Sequence, residues 1–171
     1  MKKLFLSVFA MILGLGAVKA QEGLMAGGHV GFPVGNASEY FGFNIGADVY
    51  YYFDIMPDLR LGGMAGLDMY NGKDIPNSGT KIKGLTLMPI ALSGQYEVTP
   101  EFFAGLDVGI ALSLSKDYKG GFLVQPKGGW QNEYFQAFVF FKSISSSHDV
   151  APVFKSFSSI TTIGIGGAYK F

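Results

Sequence analysis

Apolar side chains alternate with small or polar ones over three long segments of the chain. Over residues 41–53 every odd-numbered residue is apolar, while the even-numbered ones are glycine, asparagine, aspartate and tyrosine. The same division recurs over 59–70 and, most regularly, over 102–114. A period of two indicates β-strands that present one apolar face. In all three segments the charges lie on the face that is rich in glycine.

Weaker alternation extends this pattern to eight predicted strands. When the phase is chosen to agree with the first three segments, five more fit the same rule: 24–32, 88–96, 122–130, 134–142 and 161–171. Pro89 and Pro126 interrupt two of these segments, and proline cannot donate to a sheet ladder. The connections alternate between short ones (54–58, 97–101 and 131–133) and longer polar ones (34–40, 71–83, 115–120 and 143–154). This arrangement predicts an up-and-down antiparallel sheet with two different rims.

The orientation of the two faces decides the class of protein. In a soluble lipocalin-like barrel the apolar face would line a ligand cavity, and the outer surface would then consist mostly of glycine, alanine and tyrosine, which is poor for solubility. Transmembrane barrels are apolar outward and polar inward, with strands of ~10 residues. We therefore predict an all-β, eight-stranded antiparallel up-and-down transmembrane β-barrel, closed because lipid does not tolerate an open sheet edge. The lipocalin-like barrel is the alternative fold.

Aromatic residues on the apolar face cluster beside the short connections or at the C-terminus. Such clustering is typical of the interfacial girdle of a transmembrane barrel, although aromatic residues also favour strands in general. The predicted girdle comprises Tyr51, Phe53, Tyr96, Phe102, Trp130 and Tyr169, with Phe135 and Phe171 beside them.

The first 20 residues have the features of a cleaved signal peptide. Lys2 and Lys3 precede an uncharged apolar run, and Val18-Lys19-Ala20 is a small-residue cleavage pattern. The run is too short for a confident membrane span. We therefore expect export, with residues 21–171 forming the barrel domain. Cleavage would leave ten Lys and Arg against thirteen Asp and Glu, so a precursor of zero formal charge would become net −3.

Composition limits the chemistry that this chain can carry. Only 15% of residues are charged, and the signs balance, which argues against a nucleic-acid partner. The chain has no cysteine, which excludes a disulfide scaffold, a thiol nucleophile and cysteine-ligated metal. Two histidines give no convincing metal set, and no phosphate-binding motif is present. We expect no cofactor.

The charges on the glycine-rich face predict a polar network inside the barrel. An eight-stranded barrel is just wide enough for side chains to fill it, and buried charges need partners. We expect Lys127 and Arg60 to neutralise the aspartates and thereby to stabilise a filled lumen without a wide pore. The predicted members are His29, Asp48, Arg60, Asp68, Asp107 and Lys127.

Candidate catalytic residues are few. Ser145 to Asp149 bring serine, histidine and aspartate together, but consecutive loop residues do not generally form a triad. The loop carboxylates Asp74, Asp117 and Asp149 lack the spacing of a calcium loop. We expect no enzymatic activity, and a barrel hydrolase is the least favoured of the functions considered.

The last strand carries a family resemblance. It ends in Phe171, with Ile163, Ile165 and Tyr169 on the same face. This ending resembles the C-terminal signature by which bacterial outer-membrane barrels are recognised by their assembly machinery. With the signal peptide and the barrel pattern, the chain resembles the small OmpA/OmpX-type barrels of the outer-membrane β-barrel or porin family group, without the peptidoglycan-binding domain of its two-domain members.

The resemblance implies a location in the outer membrane of Gram-negative bacteria. The implied partners are outer-membrane lipid, lipopolysaccharide and the barrel assembly machinery, and a monomer is expected. A structural, adhesive or defensive role through long extracellular loops is the leading interpretation, because loops on a rigid scaffold usually carry function. A narrow solute or ion channel is the alternative.

Overall fold

The computed structural model describes residues 23–73, 82–115, 118, 120–146 and 159–171. The predicted signal peptide, residues 1–20, lies outside these ranges. The described chain forms eight strands: β1 (Leu24–Val34), β2 (Phe41–Met56), β3 (Leu59–Gly72), β4 (Leu85–Thr99), β5 (Phe102–Ser113), β6 (Gly120–Gln131), β7 (Phe135–Ser146) and β8 (Ser159–Lys170). A 3-10 helix, Gly35–Glu39, connects β1 to β2. No helix in the described ranges is long and apolar enough to cross a membrane.

Each strand pairs antiparallel with its neighbours in the sequence, and β1 pairs with β8 to close the barrel. The β1–β8 register runs from Met25 opposite Lys170 to Val34 opposite Thr161. Closure removes both sheet edges, so that every strand has a partner on each side. The predicted eight-stranded up-and-down topology is confirmed.

The two internal prolines are accommodated by breaks in the ladder on one side only. Pro89 remains opposite Ala111 of β5, whereas the β3–β4 register is interrupted beside it, between Ile90 and Leu87. Pro126 likewise stays in register with β5, while the β6–β7 register is interrupted between Val124 and Lys127. A strand residue directs its N–H toward one neighbour, so a proline removes a hydrogen bond on that side alone. Both strands therefore continue through their prolines.

The outer face of the barrel is apolar. Large side chains such as Leu92, Ile165 and Val139 are more than 60% exposed, and aliphatic or aromatic residues occupy most outward positions on all eight strands. Monomeric soluble proteins rarely expose so extensive an apolar surface. The predicted orientation, apolar outward and polar inward, is the one observed.

The inward face packs into a continuous core. At the end with the long connections, six large side chains, each at most 2% exposed, close the lumen: Phe41, Tyr70, Leu87, Leu123, Ile144 and Ile160. Polar and charged residues fill the lumen between this apolar plug and the opposite end, which we call the short-turn mouth. The charged groups of the barrel interior are therefore shielded from the long-connection side.

Candidate functional site in the barrel lumen

An upper network of four charged side chains lies directly below the apolar plug. His29 Nδ1 is 2.7 Å from Asp48 Oδ2, and His29 Nε2 is 2.7 Å from Asp68 Oδ1. The Lys142 Nζ donates to both oxygens of Asp68, at 2.7 and 2.9 Å. All four residues are at most 5% exposed. Side chains from four strands, β1, β2, β3 and β7, thus meet inside the lumen.

Two glycines make room for this network. The register places Gly46 opposite Asp68 and Gly66 opposite Asp48. A Cβ at position 46 would lie 2.4 Å from the His29 ring, and one at position 66 would lie 2.2 Å from Asp48 Oδ1. Each carboxylate therefore lies where the facing residue has no side chain, which is why the charged face is also the glycine-rich face.

Both ring nitrogens of His29 contact a carboxylate oxygen. With Asp48 and Asp68 both ionised, their oxygens only accept hydrogen bonds, and both ring nitrogens of His29 then donate. The ring is then an imidazolium, and with Lys142 it balances the two aspartates. Lys142 Nζ also lies 3.2 Å from His29 Nε2, but each of these groups is closer to Asp68. The upper network is electrically neutral.

A lower network surrounds Asp107 on β5. Lys127 Nζ and Gln125 Nε2 both donate to Asp107 Oδ2 at 2.9 Å. The Ser93 hydroxyl donates to Oδ1 and is also 2.6 Å from the Tyr52 hydroxyl. The Lys127 ammonium lies 3.9 Å from the ring centroid of Tyr50, a cation–π contact that partly compensates for its desolvation. This layer, too, pairs one positive charge with one negative charge.

The third group, which we call the mouth cluster, comprises Arg60, Gln95, Glu97, Gln131, Gln136 and Lys170. Arg60 donates to Glu97 Oε1 at 2.7 Å. Their side chains are 15% and 29% exposed, so water reaches this ion pair, whereas Gln95, Gln131 and Gln136 are at most 4% exposed.

The predicted pairing of Arg60 is wrong. We expected Arg60 to neutralise lumen aspartates, but it lies near the start of β3, opposite Gln95, and pairs with Glu97 at the mouth. Asp68, eight residues further along the strand, is neutralised instead by Lys142. The sequence carried a signal for Lys142, because it shares the inward phase of its strand with Gln136, but the residue was not recognised as a member. Lys127 does pair with an aspartate, Asp107.

The residues of the predicted girdle all lie on the outer face near the short-turn end. Their side chains are exposed. Neighbouring rings make edge-to-face contacts: the ring centroids of Tyr51 and Phe53 are 4.9 Å apart, and those of Phe135 and Tyr169 are 5.2 Å apart. The exposed rings are those of Tyr51, Phe53, Tyr96, Phe102, Trp130, Phe135 and Tyr169.

The C-terminal residues share this outer surface. Ile163, Ile165 and Tyr169 point outward from β8. The Phe171 N–H donates to the Leu24 carbonyl at 3.0 Å, and its ring contacts Tyr169 at 5.0 Å. The last residue is thus held against the first described strand.

The weaker catalytic candidates lie largely outside the residues that the structure describes. Residues 147–149, with His148 and Asp149, lie beyond the described ranges, as do Asp74 and Asp117. Among the described residues, no group of three or more His, Cys, Asp or Glu side chains could hold a metal ion.

Comparisons with known proteins support the fold. No protein-family model matches the chain, and no curated protein matches its sequence. Among solved structures it is similar to one described as "De novo design of transmembrane beta-barrels", with a TM-score of 0.52 and 16% sequence identity, covering 90% of this chain and 98% of the designed one. At this identity the likeness concerns the fold alone. The chain is a closed, eight-stranded antiparallel barrel of the transmembrane type.

Proposed function

We propose that the protein is an integral β-barrel of the bacterial outer membrane whose long loops carry a structural, adhesive or defensive role. The observation that carries the proposal is the contrast between the two faces of the sheet. The outer face is apolar around the whole barrel, whereas the lumen holds paired charges beneath an apolar plug. Such a barrel provides a rigid platform, and the function then belongs to what the platform displays.

The filled lumen supports a platform in preference to a channel. A solute that crossed it would have to displace the plug and separate two networks of buried ion pairs. Breaking one buried pair costs about 3–5 kcal/mol. A narrow channel is therefore the alternative that the test must exclude.

The proposed partners follow from the location. Lipid and lipopolysaccharide would surround the apolar outer face, and the assembly machinery would recognise the last strand through Ile163, Ile165, Tyr169 and Phe171. The outward direction of the first three, on the strand that closes the barrel, supports this role.

We propose a monomer without enzymatic activity or cofactor. The proposal includes removal of residues 1–20 as a signal peptide, with a mature barrel domain from 21 to 171.

Membrane fractionation followed by gel electrophoresis tests the location and the fold together. We expect the protein in the outer-membrane fraction and, without boiling, a faster-migrating form that heating converts to the mobility of the unfolded chain. Recovery from the soluble periplasm with no heat-dependent shift would contradict the proposal.

Recording from planar bilayers tests the filled lumen. We expect no conductance of the size found for general porins. As a comparison, a Lys142→Ala, Asp68→Ala double variant removes the centre of the upper network, and an increase in conductance only in this variant would show that the network blocks the lumen. Steady single-channel currents from the unaltered protein would favour the channel.

A further inference from the structure

The mouth cluster contains more hydrogen-bond donors than acceptors. Among the described residues, four side chains donate to Gln131 Oε1: Gln136 at 2.9 Å, Lys170 at 3.0 Å, and Arg60 and Gln95 each at 3.2 Å. An amide oxygen has two lone pairs. One neutral oxygen therefore cannot satisfy all four donors at full strength. Gln136 Nε2 also donates to Gln95 Oε1 at 3.1 Å and Lys170 Nζ to the Asn132 carbonyl at 2.9 Å, whereas Gln95 has no second acceptor among the hydrogen bonds of the described residues.

The charged side chains at the mouth also favour an anionic ligand. Arg60 and Lys170 are cationic, and Glu97 is the acidic side chain of the cluster. The two cations lie close together, because both donate to Gln131 Oε1. The buried Arg60 Nε has no hydrogen-bond partner among the described residues. The six side chains of the cluster thus carry one more positive than negative charge, with Asp54 opposite Arg60 in the β2–β3 register, and Arg60 Nε is an unused donor.

The barrel brings these donors together from separate parts of the sequence. Arg60 and Gln95 face each other across β3 and β4, and Gln131 and Gln136 face each other across β6 and β7. Lys170 comes from the end of β8. Closure of the sheet thereby brings donors from four strands, β3, β4, β7 and β8, to one acceptor on β6 at the short-turn mouth.

We propose that the short-turn mouth of the lumen is a binding site for a small oxyanion of the phosphate class. A group with several acceptor oxygens would supply what Gln131 Oε1 cannot. The Arg60 guanidinium can bind such an oxyanion with two parallel hydrogen bonds, and Lys170 adds a charge-assisted one. This site rests on the barrel fold alone, so it can fail while the proposed function stands, and the reverse also holds.

Inorganic phosphate is the probe for the free ion. Protein folded in detergent micelles is titrated with phosphate at constant ionic strength, with chloride as the reference anion, and the side-chain amide resonances of Gln95, Gln131 and Gln136 are followed by NMR. We expect the amide resonances to shift saturably with phosphate and not to shift saturably with chloride. Linear shifts that are equal for the two anions would overturn the proposal.

Two charge-removing variants separate the site from general electrostatics. Lys170→Gln replaces the ammonium at the mouth with a shorter, neutral amide and should weaken phosphate binding at least about tenfold, since a charged hydrogen bond is lost. Lys83→Gln removes the same charge from an exposed position near the other end of the barrel and should leave the affinity unchanged. Equal losses in both variants would show a diffuse charge effect and overturn the site.

Gln131→Glu keeps the test decisive if Lys170→Gln does not fold. The new carboxylate has nearly the shape of the amide and supplies the missing negative charge within the chain. We expect this variant to unfold at a higher temperature than the unaltered protein and to lose the phosphate-dependent shifts. Undiminished phosphate binding in Gln131→Glu would contradict the proposal.

A lipid headgroup offers the same chemistry as free phosphate. The protein is therefore also placed in nanodiscs of phosphatidylcholine, with and without phosphatidylglycerol, in phosphate-free buffer. Shifts of the same amides with phosphatidylglycerol would identify a headgroup as the source, whereas shifts that need added phosphate would identify the free ion. Absence of both overturns the site.

Discussion

The upper network and the mouth cluster differ in how their charges are paired and in how far they are buried. In the upper network, two aspartates meet one lysine and one imidazolium, and all four side chains are buried. In the mouth cluster, Arg60 and Lys170 exceed the single carboxylate of Glu97, and four donors share one amide oxygen. The charges of the first arrangement are paired and closed off from water, whereas those of the second are unequal in number and partly exposed.

The difference reflects the cost of desolvation at the two positions. A buried charge without a partner costs several kcal/mol, so only a balanced set is tolerated beneath the apolar plug. At the mouth, the Arg60 and Glu97 side chains are partly exposed, so water screens their charges and an imbalance costs less. An unbalanced polar cluster is therefore compatible with the fold only at the open end, where a ligand can also reach it.

The largest expected effect comes from breaking the upper network. Lys142→Met retains the aliphatic stem but removes the ammonium, which leaves Asp68 short of a positive partner in the core. We expect a loss of about 3–5 kcal/mol in the free energy of unfolding. Urea-induced unfolding in detergent micelles or lipid vesicles, followed by the fluorescence of Trp130, the single tryptophan, measures it.

A second substitution shows whether this loss comes from the unpaired charge. In Lys142→Met, Asp68→Asn the carboxylate is also removed, and we expect the double variant to be more stable than Lys142→Met alone. Lys83→Met, at an exposed position, controls for loss of a lysine and should stay within about 0.5 kcal/mol of the unaltered protein. If the double variant is no more stable than the single one, unpaired charge is not the cause.

A smaller loss is expected when a methyl group is added to the space that the network occupies. In Gly66→Ala the new Cβ would meet Asp48 Oδ1 at 2.2 Å and the Ala47 carbonyl oxygen at 2.8 Å. Overpacking of this kind costs about 1–3 kcal/mol, and the midpoint of urea-induced unfolding should fall accordingly.

The matched control lies on the same strand but faces outward. At Gly63 an added Cβ has its nearest neighbour at 4.0 Å, so Gly63→Ala should be tolerated with little change in stability. Equal losses in the two variants would mean that glycine is needed for the backbone of this strand and not for the network.

The smallest effect is expected at the mouth. Arg60→Leu removes the ion pair with Glu97, but both side chains are partly exposed, and such pairs contribute about 1 kcal/mol or less. We expect a small decrease in the temperature at which the folded form converts to the unfolded form on an SDS gel. A loss as large as that of Lys142→Met would remove the distinction between the two regions.

The fold was predictable to a large extent because a transmembrane barrel has one repeated rule. Alternation over 41–53, 59–70 and 102–114 indicated both the strands and the direction of their apolar faces, and the alternating connections indicated the topology. The ends of the strands were not predicted, since β2 continues to Met56 and β4 begins at Leu85. Pairing with a neighbouring strand extends a strand beyond its own pattern.

The members of the lumen network were mostly predictable, but their partners were not. The alternation of each strand places five of the predicted members on the inward face: His29, Asp48, Asp68, Asp107 and Lys127. The partners predicted for Arg60 lie too far up the barrel from it. The height of a residue on the axis depends on the stagger of every strand between it and its partner. That stagger is a property of the closed sheet and is not written in any single strand.

The sequence by itself determined which residues face inward, because a strand has a fixed period of two and the surrounding medium selects one face. Only the tertiary structure decided which inward residues meet. Closure through β1 and β8 brings Lys142 to Asp68, 74 positions apart, and converges Arg60, Gln95, Gln136 and Lys170 on Gln131. Contacts across a lumen depend on stagger and closure, and these arise only when all eight strands are in place.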